Sequence, residues 1–353
     1  MLEYKKTIAK DFVMYNIKTI CQKNDKYEKQ RIPGLTVTKK GTLLFYCEAR
    51  RTESDWSMMD ILLYRSDDGG KSFAEPTSLA NGTDTHPTVN NPIMIEDKTG
   101  RIHFLYCEDY STNGGRVLRR YSDDDGISWS EPIDITAFTS PEFRNCFALG
   151  PGHGICLEDG RLLVPIWMVP RSYNAPIDKH GPAVVTTFMS ADNGESWTLG
   201  ELLWSNDKTL SPNETTAAEL EDGSVYLNLR NQGYIRAHAY SKNGSSDWTD
   251  YEPDTALADP HCFGSTFTMR DKTGRHVLLF VNCARNDART DVTLRASLDG
   301  GRSWCASRLI DDVRGGYCEI SGNRETGIIY IIYETNYGET CELVTLTLDE
   351  IIN

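Results

Sequence analysis

Apolar residues along this chain come in short runs. Met59-Asp60-Ile61-Leu62-Leu63-Tyr64-Arg65 and Val292-Thr293-Leu294-Arg295 read as strands. So do two runs near the C-terminus, Gly327 to Tyr333 and Leu343 to Leu348. A polar turn follows the first two at once, in a form that recurs. Ser66 to Phe73 reads SDDGGKSF, Ser122 to Trp129 SDDDGISW, Ser190 to Trp197 SADNGESW and Ser297 to Trp304 SLDGGRSW. A degenerate copy, SKNGSSDW, runs from Ser241 to Trp248, with Asn243 in the Asp place and Ser245 in the Gly place. The starts lie 56, 68, 51 and 56 residues apart.

The motif suits a tight hairpin. Asp accepts hydrogen bonds from nearby backbone N–H groups, and Gly supplies positive φ. The closing aromatic buries a large apolar surface between neighbouring sheets. The spacing fits one four-stranded sheet per repeat, the arrangement of a β-propeller. At roughly 59 residues per repeat, the 353-residue chain holds about six blades. Five carry the turn. The sixth is expected to join the C-terminal strands to one from the N-terminus, which leaves no long open sheet edge. No linker or low-complexity run interrupts the chain. The expectation is therefore an all-β, six-bladed propeller occupying residues 1–353 as one domain.

Composition narrows the function classes. The net charge of -14 argues against a general nucleic-acid or anionic-membrane binder. A few arginines in a cleft can still bind an anionic small substrate. No run of about 20 apolar residues spans a membrane. The opening MLEYKKTIAKDF lacks an apolar signal core, so the expected location is cytoplasmic unless a processed segment is missing. Ten cysteines, none at CxxC spacing, point to free thiols rather than a zinc site. The Asp-rich turns lack the bidentate Glu of a calcium loop. Neither a metal nor a cofactor is expected.

Counting upstream from the turns locates unusual polar residues at the other end of the sheets. Asp55 precedes Ser66 by 11 residues, Arg230 precedes Ser241 by 11 and Arg289 precedes Ser297 by 8. Such offsets are long enough to cross a blade. Arginines of different blades can thus converge on one mouth.

At this point the chain resembles a known family. Arg31-Ile32-Pro33-Gly34-Leu35 looks like the R-I-P motif of sialidases, and the turns look like their Asp-boxes. The likeness continues through Glu48-Ala49-Arg50, Gly150 to Ile155, Gly160 to Pro165, Glu219 to Gly223 and Tyr333-Glu334. It is most similar to bacterial exo-sialidases of glycoside hydrolase family 33. The resemblance implies a triad of Arg31, Arg230 and Arg289 on the sugar carboxylate, with Glu334 orienting Arg31. It implies Arg50 near the C4 side of the sugar, Asp55 as acid/base, Tyr317 as nucleophile and Glu214 as its base. Asp60 and Glu219 are competing carboxylates. Asn91, before Pro92, stands where many relatives carry Asp, so a related 2-keto-3-deoxy acid of the Kdo or Kdn type is an open alternative to sialic acid. Trp56, Met58 and Met59 either line an acyl pocket or belong to the blade core. A non-catalytic glycan-binding propeller is the alternative from another class. The expected partner is a sialylated glycan or related sugar acid, with no nucleic acid and no membrane.

Overall fold

The computed structural model describes residues 15–109, 115–139, 146–169, 182–208 and 211–352. Its strands form six antiparallel sheets, each largely in chain order. Blade 1 runs from Lys29 to Asn81, blade 2 from Val89 to Asp134 and blade 3 from Cys146 to Leu199. Blade 4 runs from Thr215 to Ala258 and blade 5 from Ser265 to Asp311. Blade 6 takes its first three strands from Cys318 to Thr347 and its outer strand from Ile17–Gln22. Ile17 pairs with Val344 and Gln22 with Thr340. The chain is a six-bladed β-propeller, closed by strands from both ends of the sequence as expected.

The recurring turns work as local hydrogen-bond knots. In blade 2, Ser122 Oγ accepts from Gly126 N–H (2.9 Å), and Asp124 Oδ1 accepts from Ser128 N–H (2.8 Å). Asp125 and Gly126 take φ of 64° and 81°, and each intact copy repeats this left-handed pair. The degenerate copy departs from the expected alignment. Gly244, not Ser245, fills the glycine place, with φ of 75° and its N–H 3.0 Å from Ser241 Oγ. The hairpin keeps its length, since Thr249 N–H donates to Tyr240 O just as Ala74 N–H donates to Arg65 O, but the glycine moves up by one residue within it. Asn243 Oδ1 still accepts from the N–H groups of Ser245 and Ser246.

The closing aromatics pack where blades meet. Trp197, stacked 5.0 Å from Phe188 of its own blade, shares a core cluster with Ile93 and Leu105 of blade 2, and Trp129, edge-on to Phe104 at 5.8 Å, packs against a cluster that includes Leu44 of blade 1. Polar stitches reinforce the seams. Asp125 of blade 2 accepts from Thr42 Oγ1 (2.6 Å) and pairs with Arg65 of blade 1 (3.2 Å). The nine cysteines whose side chains are described carry no disulfide. Among the described residues, no helix is long and apolar enough to cross a membrane.

Candidate active site

The ladder registers place the candidate residues at the mouth opposite the recurring turns. In blade 1 the second and third strands pair Leu43 with Ser66 at the turn end and Arg50 with Met59 at the other. Asp55 lies in the loop beyond that second end. Glu214 stands opposite Arg230, which explains their 16-residue offset, because Arg230 N–H donates to Glu214 O (3.0 Å). Tyr317 stands opposite Glu334 in the same way in blade 6.

Two prolines aim two of these side chains. Pro33 and Pro92 lack the N–H a ladder needs, and each inner strand breaks register there, between Arg31 and Gly34 and between Asn90 and Ile93. The residues just before them, Ile32 and Asn91, take φ of 57° and 51°. Gly34 completes the first bulge, since a Cβ there would lie 2.0 Å from the Tyr46 ring. These bulges turn Arg31 and Asn91 into the mouth.

A cavity of about 660 Å³ results, lined by Arg31, Arg50, Asp55, Asn91, Glu214, Arg230, Arg289 and Tyr317. Glu334 supports it from behind. Its carboxylate pairs with Arg31 Nε (3.3 Å) and accepts the N–H groups of Ile32 (2.8 Å) and Tyr317 (3.4 Å). The Tyr317 hydroxyl donates to Glu214 Oε1 and accepts from Arg230 Nη1 (2.9 Å), while Arg230 also pairs with Glu214. The guanidinium carbons of Arg31 and Arg289 lie 5.1 and 5.5 Å from the centre of the Tyr317 ring. Burial, then the Glu214 charge, push the Tyr317 phenol well above its ordinary range, with the three arginines opposing. The phenol is therefore neutral at rest. Burial opposes the charge on Arg31 and Arg230, and Glu334 and Glu214 more than restore it.

Charge compensation is uneven around the mouth. Arg50 is bound by Glu48 (2.6 Å) and by Asp55. Among the described residues Arg289 pairs with no carboxylate, and its Nη2 donates only to His261 O (3.1 Å). Of the four arginines that line the cavity, it alone has no carboxylate partner among the described residues.

Sequence reasoning gave Glu48 no role. It is buried, grips Arg50 and accepts the Asn91 N–H through Oε1 (2.7 Å). Burial raises its pKa while Arg50 and the Asn91 N–H pull it down. The available signal was its register: Glu48 is the ladder partner of Arg31. Trp167, Asn213 and Gln232 also line the cavity and were not singled out. Two competing carboxylates lie elsewhere. Asp60 is buried against Tyr27, Lys26 and Arg51. Glu219 accepts Glu158 N–H (2.8 Å) at the turn end of blade 4. Met59 is core, Trp56 packs against core residues of blades 3 and 4, and none of Trp56, Met58 and Met59 lines the cavity.

A ring of six sheets that gathers its charged side chains at one mouth defines the class, a sialidase-fold propeller. The profile of the BNR repeat-like domain matches residues 83–331. The chain belongs to that family, within the sialidases of the glycoside hydrolase family 33 type. A sialidase of Bacteroides fragilis (strain YCH46) is 30% identical over 345 residues, which cover 87% of this chain and 60% of the relative. A sialidase of Paraclostridium sordellii is 29% identical over 357 residues, covering 90% of this chain and 85% of the relative. Among solved structures, the Hadza microbial sialidase Hz136 matches with a TM-score of 0.82 at 27% identity, over 93% of this chain and 67% of that one.

Proposed function

We propose that the chain is a retaining exo-glycosidase that removes terminal α-linked sialic acid from glycoconjugates. The observation that carries this reading is the Tyr317 hydroxyl, which donates to Glu214 and accepts from Arg230 beneath two further arginines. Arg31, Arg230 and Arg289 hold the sugar carboxylate, since guanidinium matches carboxylate in planar, bidentate fashion. Glu214 takes the phenol proton as the phenolate oxygen attacks the anomeric carbon. The bond to the leaving oxygen breaks as Asp55 gives that oxygen a proton. Asp55 then draws a proton from water, the water oxygen attacks the same carbon, and the sugar–tyrosine bond breaks. Glu214 returns its proton to Tyr317.

A phenol is the sound nucleophile here. A carboxylate would be repelled by the one already on the reacting carbon, whereas a neutral phenol with a nearby base avoids that until the bond forms. Such chemistry also favours an enzyme over a lectin, which has no use for Asp55, Glu214 and Tyr317 together. The test is hydrolysis of a fluorogenic α-sialoside. The wild type turns it over and Tyr317→Phe abolishes most turnover while staying folded. An inert, folded wild type would sink the reading. Asn91 motivates a second reading, a Kdo- or Kdn-type acid in the same cavity, and glycosides of each acid assayed side by side separate the two.

A further inference from the structure

Tyr317 and Glu214 reach each other from different blades, so their separation depends on what ties those blades together beneath them. The inner strand of blade 6 continues from Tyr317 to Glu319, and alternate residues of a strand share a face. Glu319 therefore points to the propeller axis as Tyr317 does, roughly 7 Å further in. It is fully buried and has no part in the proposed chemistry. Its Oε1 meets His153 Nδ1 at 2.5 Å and accepts the Ser265 hydroxyl at 3.1 Å. His153 belongs to blade 3 and Ser265 to blade 5. In a ring of six, blades 3 and 6 face each other, so the His153–Glu319 contact crosses the axis.

Both ends of this contact lead to the reacting pair. On the blade 3 side, Gly150 O accepts the N–H of Thr215, the residue after Glu214 (3.1 Å). The same segment is tied to blade 1, since Gly152 O accepts the Tyr46 hydroxyl at 2.9 Å. Only glycine fits there, because a Cβ on Gly152 would lie 2.1 Å from Glu319 Oε2 and 2.9 Å from the Phe263 ring. On the blade 6 side, Phe263 packs between Gly152 and Tyr317, with the two ring centroids 5.8 Å apart. Phe263 O also accepts the N–H of Cys318, the residue between Tyr317 and Glu319 (3.3 Å).

Stability does not explain the pair. Burying an acid and a base costs hydration, and apolar side chains of similar volume often replace such a pair without loss. We propose that His153 and Glu319 are positioning residues, a strut across the ring that sets the separation of Tyr317 and Glu214. The proposal rests on the sialidase reading for its effect on turnover, and on geometry alone for the separation itself.

The test compares the wild type with H153L/E319M, which keeps the volume but not the strut, and with Glu319→Gln, which keeps an acceptor for His153 and Ser265. The double variant is expected to melt no lower than the wild type. Its kcat on a fluorogenic α-sialoside falls about 10- to 100-fold, because a misplacement of about 1 Å costs about 100-fold, while KM moves less than about threefold. Crystal structures show the Tyr317–Glu214 hydrogen bond lengthened in the double variant and kept in Glu319→Gln, whose kcat stays within about threefold of the wild type. An unchanged kcat or an intact Tyr317–Glu214 bond in the double variant overturns the proposal. So does an equal loss of kcat in both variants. A double variant that melts well below the wild type overturns it too, since the pair would then serve stability. A wild type without turnover, whose Tyr317–Glu214 bond still lengthens in the double variant, would remove the sialidase reading and leave the strut standing.

Discussion

Arg31 and Arg289 are assigned the same task, yet their substitution should have unequal effects on stability. In Arg31→Met, the buried Glu334 carboxylate loses its pairing partner at 3.3 Å and keeps only backbone N–H groups. Stranding one charge of a buried pair costs about 3–5 kcal/mol. At about 2.1 cal/mol/K of unfolding entropy per residue, that lowers the melting temperature of this 353-residue chain by roughly 4–7 °C. Arg289→Met strands no carboxylate, forfeits one hydrogen bond to His261 O and relieves the crowding of like charge near Arg230. Its melting temperature should stay within about 2 °C of the wild type. Each variant loses charge-assisted bonds to the substrate, about 1.5–3 kcal/mol, or roughly 10- to 150-fold in affinity for a sialic acid analogue. Calorimetric melting and inhibitor titration measure the two effects separately. Equal destabilisation by both variants would refute the claim that Arg289 is the uncompensated cation. Undiminished affinity in Arg289→Met would refute its place in the triad.

Two further outcomes are expected. Glu48→Gln keeps an acceptor for the Asn91 N–H but leaves Arg50 under-compensated, so it should destabilise by about 2–4 kcal/mol and impair turnover; unchanged melting with full activity would mean that Asp55 alone suffices for Arg50. The turn aspartates predict an acid transition: hydrogen bonds from Ser128 hold Asp124 at about 2, below an unfolded value near 3.9, so its stabilising contribution is present above about pH 4 and fades as pH falls towards 2. Asp124→Asn should therefore melt below the wild type at pH 7 and level with it near pH 2, whereas a gap of constant size at both would refute this.

What the sequence made legible was mostly local chemistry. The turn motif is self-contained, because its Ser and Asp side chains bond to backbone groups within four residues, so each copy announces a hairpin wherever it occurs. The sequence leaves Asp60 as a competitor of Asp55; only the fold separates them, with Asp60 in a strand against Tyr27 and Asp55 in the cavity wall. The glycine place of the degenerate turn is off by one residue because the hairpin keeps its length while the glycine shifts inside it, a change that shows only in the φ of Gly244 and its bond to Ser241. Glu48 stayed hidden for a different reason. An acidic residue within a strand reads as solvent-facing, and its burial depends on Arg50 and the bulged Asn91, which reach it from elsewhere in the fold. Met59 and Trp56, which the sequence leaves between acyl pocket and blade core, serve the blades.

The closure of blade 6 has a kinetic consequence. Ile17–Gln22 finds its partner strand only after nearly the whole chain has been made, and Arg31 meets Glu334 across the same long separation. Pairings so distant in sequence raise the contact order, which slows folding and leaves strand edges open meanwhile. The arginine pocket is therefore among the last features to assemble. Binding of a sialic acid analogue during refolding should report ring closure itself, lagging behind the turn hairpins that form early within each blade.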